Sequence, residues 1–144
     1  MTLPLISAAT AGCIAILQMI LMITVGLFRT RAGIFVGQGE DPNMIRLMRR
    51  HGNLSENGAL FLVALTLLEV IGAAQTLVAA LAAIFLVARI LHAIGFSSLT
   101  GSHGEPGSRA FVAARALGAF GTFACGLIVG SALLFESMHL GGWL

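Results

Sequence analysis

Lysine and tyrosine are both missing from this chain, and charge of either sign is scarce. Only 10% of its 144 residues are charged, against about 25% in soluble domains. Without lysine, all eight fixed cations are arginines; without tyrosine, no site can draw on a ring hydroxyl. The formal charge of +2 is too small to suggest nucleic-acid binding, and no basic stripe interleaved with aromatics is present. Cys13 and Cys125 each stand alone in a long apolar run. With no CxxC and no His or carboxylate at ligand spacing, neither a disulfide framework nor a metal site is indicated.

What the chain has in excess is apolar surface: 58% of it is hydrophobic. A soluble protein this short has too high a surface-to-volume ratio to hide so much, so the surplus is expected to face lipid. Leu3 to Phe28 carries no charge and is long enough to cross a hydrocarbon core of about 30 Å. It lacks the basic flank of a signal peptide and is expected to be an uncleaved first span. Arg29 and Arg31 end it as snorkelling cations. After a glycine-containing polar loop, Asp41-Pro42 is a helix-start signal, an acceptor at the cap followed by proline at the first helical position. That helix is expected to continue to about Gly72, with polar first turns protruding into or beyond the headgroups. Glu69, just before the Gly72–Gln75 connection, is expected at the opposite interface as a solvated carboxylate.

A third span carries Arg89 and His92 toward its end. The polar stretch from Ser97 to Ser108 turns the chain, with Ser108 expected to cap a fourth helix that carries Arg115 near its start. Trp143 reads as an interfacial belt residue. The expected fold is therefore all-α: a single integral membrane four-helix bundle over residues 1–144, with spans at about 3–28, 57–74, 76–96 and 110–135. The first loop with its helical extension holds most of the arginine, and the third holds Arg109. Both termini are accordingly expected on the side away from the cytoplasm.

The polar groups gather at one membrane side. Arg46, Arg49, Asn53 and Glu56 recur at helical spacing on the second helix, and Arg89, His92 and Phe96 on the third. Arg89 falls roughly 10 Å inside its span by helix rise, where an ionised group costs at least about 2.5–3.5 kcal/mol. It should point inward and toward a carboxylate, and Glu56 is the one near its depth. Two readings follow. An Arg89–Glu56 pair would fasten two helices with no ligand involved. Alternatively, Arg46, Arg49, Arg89, Arg109 and Arg115 outnumber that one carboxylate, and such a surplus invites an anionic ligand, since the guanidinium fork suits carboxylates. With Asn53 and Glu56 added, that ligand would be small and zwitterionic, with more than one carboxylate.

Arg49-Arg50-His51-Gly52-Asn53-Leu54-Ser55-Glu56 carries an R-x-x-x-N-x-x-E pattern that resembles the second-helix signature of the MAPEG family (membrane-associated proteins in eicosanoid and glutathione metabolism). Ala88 to Phe96, with Arg89 and His92, resembles that family's third helix, above all in bacterial members. The resemblance covers nearly the whole chain. It implies a homotrimer in a bacterial inner membrane with glutathione, as co-substrate, bound between subunits. It further implies that Arg49, Asn53, Glu56, Arg89 and His92 contact glutathione, that Arg31 is supplied by a neighbour, and that Arg109 stabilises the thiolate. The function it implies is a glutathione-dependent transferase or peroxidase acting on a lipophilic electrophile delivered from the bilayer. Phe96 stands where several relatives place a ring hydroxyl, so a non-catalytic scaffold or binding protein on the same frame is the alternative. A small multidrug transporter is disfavoured, because the first span lacks the carboxylate that such proteins carry there.

Overall fold

A computed structural model describes residues 3–99 and 109–143. It contains four long helices, α1 (Leu5–Ala32), α2 (Pro42–Val70), α3 (Gln75–Gly95) and α4 (Arg109–Leu140), each long and apolar enough to cross a membrane. The protein is a multi-pass integral membrane four-helix bundle. Ser108, expected as a cap, and most of the third loop lie outside the described residues.

The helix ends follow from local chemistry. Asp41 caps α2, its side chain accepting from the Asn43 and Met44 amides at 2.8 and 3.4 Å, with Pro42 behind it. α1 stops at Gly33, whose φ of 67° is left-handed, and the Ile34 amide folds back to the Arg29 carbonyl at 3.1 Å. Glycine suits that position because it has no Cβ to clash.

Glu69 differs from expectation. It does lie at the far end of α2 from the arginines, but it is 1% exposed rather than solvated. Its carboxylate accepts from the Ile6 amide at 3.0 Å, the Ser7 amide at 2.8 Å and the Ser7 hydroxyl at 2.6 Å. The reason lies at the start of α1. Pro4 offers no side-chain cap, and while the Leu5 amide turns back to the Leu3 carbonyl, the Ile6 and Ser7 amides have no acceptor within α1 and point outward at its positive end. α2 supplies the missing carboxylate and so ties the two helices together.

α1 packs chiefly on α2, and α3 on α4. The α3–α4 seam is a backbone contact. A Cβ added to Gly118 would lie 2.5 Å from the His92 amide nitrogen and 2.6 Å from the Ala88 carbonyl oxygen. One added to Gly95 would lie 2.6 Å from the Arg115 backbone nitrogen. Small residues at these crossings let membrane helices approach closely where no hydrophobic effect drives them together. Across the bundle, Phe61 of α2 stacks on Phe85 of α3 with centroids 3.7 Å apart. Most of the remaining apolar surface points out: α1 buries Ser7, Thr10, Ile14 and Leu21 along one stripe and leaves Ile16, Ile20, Ile23 and Leu27 exposed.

Candidate functional site

The basic ends of the four helices meet at one end of the bundle, and their polar side chains divide into groups. On α2, Arg49 and Glu56 are exposed and Asn53 is half-buried. All three line a cavity of about 450 Å³ between α1 and α2, whose wall also includes Val25, Arg29, Gln38, Met48, His51 and Gly52. Arg29 is held in its wall, donating from Nη1 to the Ile34 carbonyl and from Nη2 toward the Met48 sulfur, both at 3.3 Å. His51 is fixed from the α1 side by Gln18, with the Gln18 Nε2 and His51 Nε2 atoms 2.6 Å apart. Glu56 makes no ion pair among the described residues, so the cavity gathers two guanidiniums, a carboxylate, two amides and an imidazole.

Arg46 does not join them. Its Nη1 donates to the Phe96 carbonyl at 2.7 Å and its Nη2 to Asn43 Oδ1 at 3.4 Å. Phe96 ends α3, whose last carbonyls lack amide partners, and a cation is favoured there. Arg89 and His92 form a third group inside the α3–α4 seam, at 3% and 7% exposure. Arg89 Nη1 donates to Thr122 Oγ1 at 3.0 Å, and its Nη2 lies 3.3 Å from His92 Nδ1. Thr122 in turn donates to the Gly118 carbonyl at 2.7 Å. The Arg89–Glu56 pair considered from the sequence is not formed. The face of α3 that bears Arg89 looks at α4, where the close glycine contact brings a hydroxyl within reach. His92 leans on the Phe96 ring at 4.9 Å, and Arg115 lies over the same ring at 5.4 Å. Arg31 and Arg109 are exposed at the ends of α1 and α4, and neither lines the cavity.

Three of the seven residues singled out from the sequence thus share a cavity, two share a buried seam, and two face outward. Sequence reasoning missed Arg29, His51 and Gln38. Arg29 was read as a snorkelling cation, and Gln18, uncharged in mid-helix, gave no charge signal to mark the His51 contact. A second cavity of about 250 Å³, apolar and set between α2, α3 and α4, has Glu56, Asn57 and Thr122 among its lining residues. Glu56 therefore borders both.

A family model described as the MAPEG family matches residues 7–135. The chain belongs to the MAPEG family. The match spans α1 from Ser7, all of α2 and α3, and α4 as far as Phe135, and it includes every site residue named above. No curated protein and no solved structure matches the chain. Membership places this MAPEG protein among membrane proteins of eicosanoid and glutathione metabolism.

Proposed function

We propose that the protein is a glutathione-dependent membrane transferase or peroxidase acting on lipophilic electrophiles. The observation that carries this reading is the cavity between α1 and α2, where Arg29, Arg49, Asn53 and Glu56 stand together with no ion pair between them. Its volume of about 450 Å³ falls within the range of small-molecule sites, about 300–1,000 Å³. The donor set fits glutathione: two guanidiniums for its two carboxylates, the Glu56 carboxylate for its ammonium, and the Asn53 amide for its peptide groups.

In this reading Arg49, Asn53 and Glu56 bind and orient the tripeptide. Arg31 and Arg109, exposed in one chain, meet it across the subunit boundaries of a homotrimer, and Arg109 holds the thiolate. A desolvated guanidinium beside a thiol favours the thiolate, which is the nucleophile. Arg89, held by Thr122 with His92 as a neutral acceptor beside it, adds positive potential from the bundle interior. The apolar cavity bordered by Glu56 and Thr122 would receive the electrophile from the bilayer. The arginine-rich end faces the cytoplasm of a bacterial inner membrane, with both termini on the other side.

Titration calorimetry of the detergent-purified chain with reduced glutathione tests the binding step. Wild type should give saturable heat, and Arg49→Ala or Glu56→Ala should abolish it. A wild-type titration without heat would sink the proposal. A spectrophotometric screen of model electrophiles then separates conjugation from peroxide reduction. One observation favours a second reading, a non-catalytic scaffold: Arg46 and Arg89 are already met by protein oxygens. Unchanged glutathione affinity with weakened assembly in the same variants would select it.

A further inference from the structure

Arg50 is a guanidinium of α2 that nothing among the described residues answers. It is half-buried, its Nε is sealed from solvent with no partner, and it makes no hydrogen bond or ion pair among the described residues. One turn away, Arg46 also has a sealed, unpartnered Nε. The two are i and i+4 neighbours whose like charges repel, an arrangement that destabilises a helix unless an anion lies between them.

Neither residue lines the α1–α2 cavity. At 100° per residue, Arg46 and Arg50 sit about 60° and 100° around α2 from Arg49. That flank turns toward α3, as the Arg46 bond to Phe96 demonstrates. Depth gives the second coordinate. Arg50 is 20 residues from Val70, the last residue of α2, and at 1.5 Å per residue that separation is about 30 Å, the thickness of a hydrocarbon core. With Val70 at one boundary, Arg50 reaches the headgroup level at the other, and Arg46 lies a turn beyond it. Below them the same flank continues as Asn57, Phe61 and Ala64, which line the apolar cavity between α2, α3 and α4.

We propose that Arg46 and Arg50 together bind a phosphate group at the level of the lipid headgroups. The planar guanidinium fork matches two phosphate oxygens, and the two terminal nitrogens of Arg50 have no partner among the described residues. A phospholipid would present its phosphate there with a chain running down the apolar flank; a soluble phosphate would use the same donors without the chain.

The test uses the full chain, purified in detergent and stripped of lipid, with native mass spectrometry reading bound adducts. Phosphatidylglycerol should be retained, and Arg50→Gln should weaken its retention about five- to tenfold. Diacylglycerol, which has the tails and lacks the phosphate, should not be retained; equal retention of both lipids overturns the proposal, as does retention of phosphatidylglycerol that Arg50→Gln leaves unchanged. Inorganic phosphate identifies the source. Failure to displace phosphatidylglycerol assigns the site to the lipid headgroup, and displacement with Arg50-dependent binding of phosphate assigns it to a soluble ligand. Should Arg50→Gln fail to fold, salt dependence of the wild type decides: ionic retention falls as salt rises, and retention indifferent to salt overturns the proposal. Glutathione titration reads the α1–α2 cavity, which neither Arg46 nor Arg50 lines, so this site and glutathione binding fail separately.

Discussion

Replacing Glu69 with alanine removes the acceptor of at least three hydrogen bonds at once and leaves the Ile6 amide, the Ser7 amide and the Ser7 hydroxyl facing an apolar gap. A buried donor left without a partner costs about 1–3 kcal/mol. The first turn of α1 lies near the membrane boundary, where water recovers part of that loss, so a total of about 3 kcal/mol is expected rather than the sum of the upper limits. Glu69→Gln keeps an acceptor oxygen but loses the charge-assisted part of the bonds and the attraction to the positive helix end. It should cost about 1–2 kcal/mol. Unfolding in mixed micelles of rising sodium dodecyl sulfate fraction, followed by circular dichroism, measures both variants. Hydrogen exchange at the Ile6 and Ser7 amides then localises the effect, with faster exchange expected in Glu69→Ala. A Glu69→Ala midpoint within about 0.5 kcal/mol of wild type, the range of ordinary surface changes, would refute the idea that α2 caps α1. The Ser7→Ala and Glu69→Ala changes should also be non-additive, since both remove the same contact.

Gly118→Leu should separate α3 from α4, because the added side chain meets the His92 and Ala88 backbone rather than a flexible side chain. A loss of about 3 kcal/mol or more in the same unfolding assay is expected, at or above the upper end for overpacking. Thr122→Val keeps the volume of the seam while removing the acceptor of Arg89. It should cost about 1–3 kcal/mol, and a neutral result would mean that Arg89 finds another oxygen. Arg29→Ala should weaken glutathione binding about tenfold or more, the scale of a lost charge-assisted contact. In the isolated protomer Arg31→Ala should have no such effect, so a large Arg31 dependence measured only in the assembled state would identify it as a contact from a neighbour.

Much of the fold was legible because membrane helices announce themselves through long uncharged runs, and because Asp41-Pro42 is a start signal that depends on neighbours in sequence alone. Glu69 was not legible in the same way. Its depth followed from counting along α2, but its burial depends on a fact about another helix: that α1 begins at a proline with no capping side chain and lies beside the end of α2. The α3–α4 seam was half legible. Gly118, Thr122, Cys125 and Val129 recur at spacings of 4, 3 and 4 and are the buried residues of α4. That small-residue stripe marks a close helix contact, yet it gives no indication of which helix it meets.

The candidate site divides along the same line. Helical spacing put Arg49, Asn53 and Glu56 on one face, and they do share one cavity. The same spacing placed Arg46 with them, yet Arg46 sits far enough around the helix for the carbonyl end of α3 to capture it. Counting charges failed for Arg89, since the count assumed that a buried guanidinium requires a carboxylate. Here a neutral hydroxyl and an imidazole meet it in the seam, and Glu56 is released to the cavities it borders. That release is the physical ground for the proposed activity. An exposed Glu56 beside exposed Arg49, neither paired among the described residues, costs little in water. Covered by a neighbouring subunit, each would need an opposite charge, and a zwitterionic tripeptide carries both signs at once.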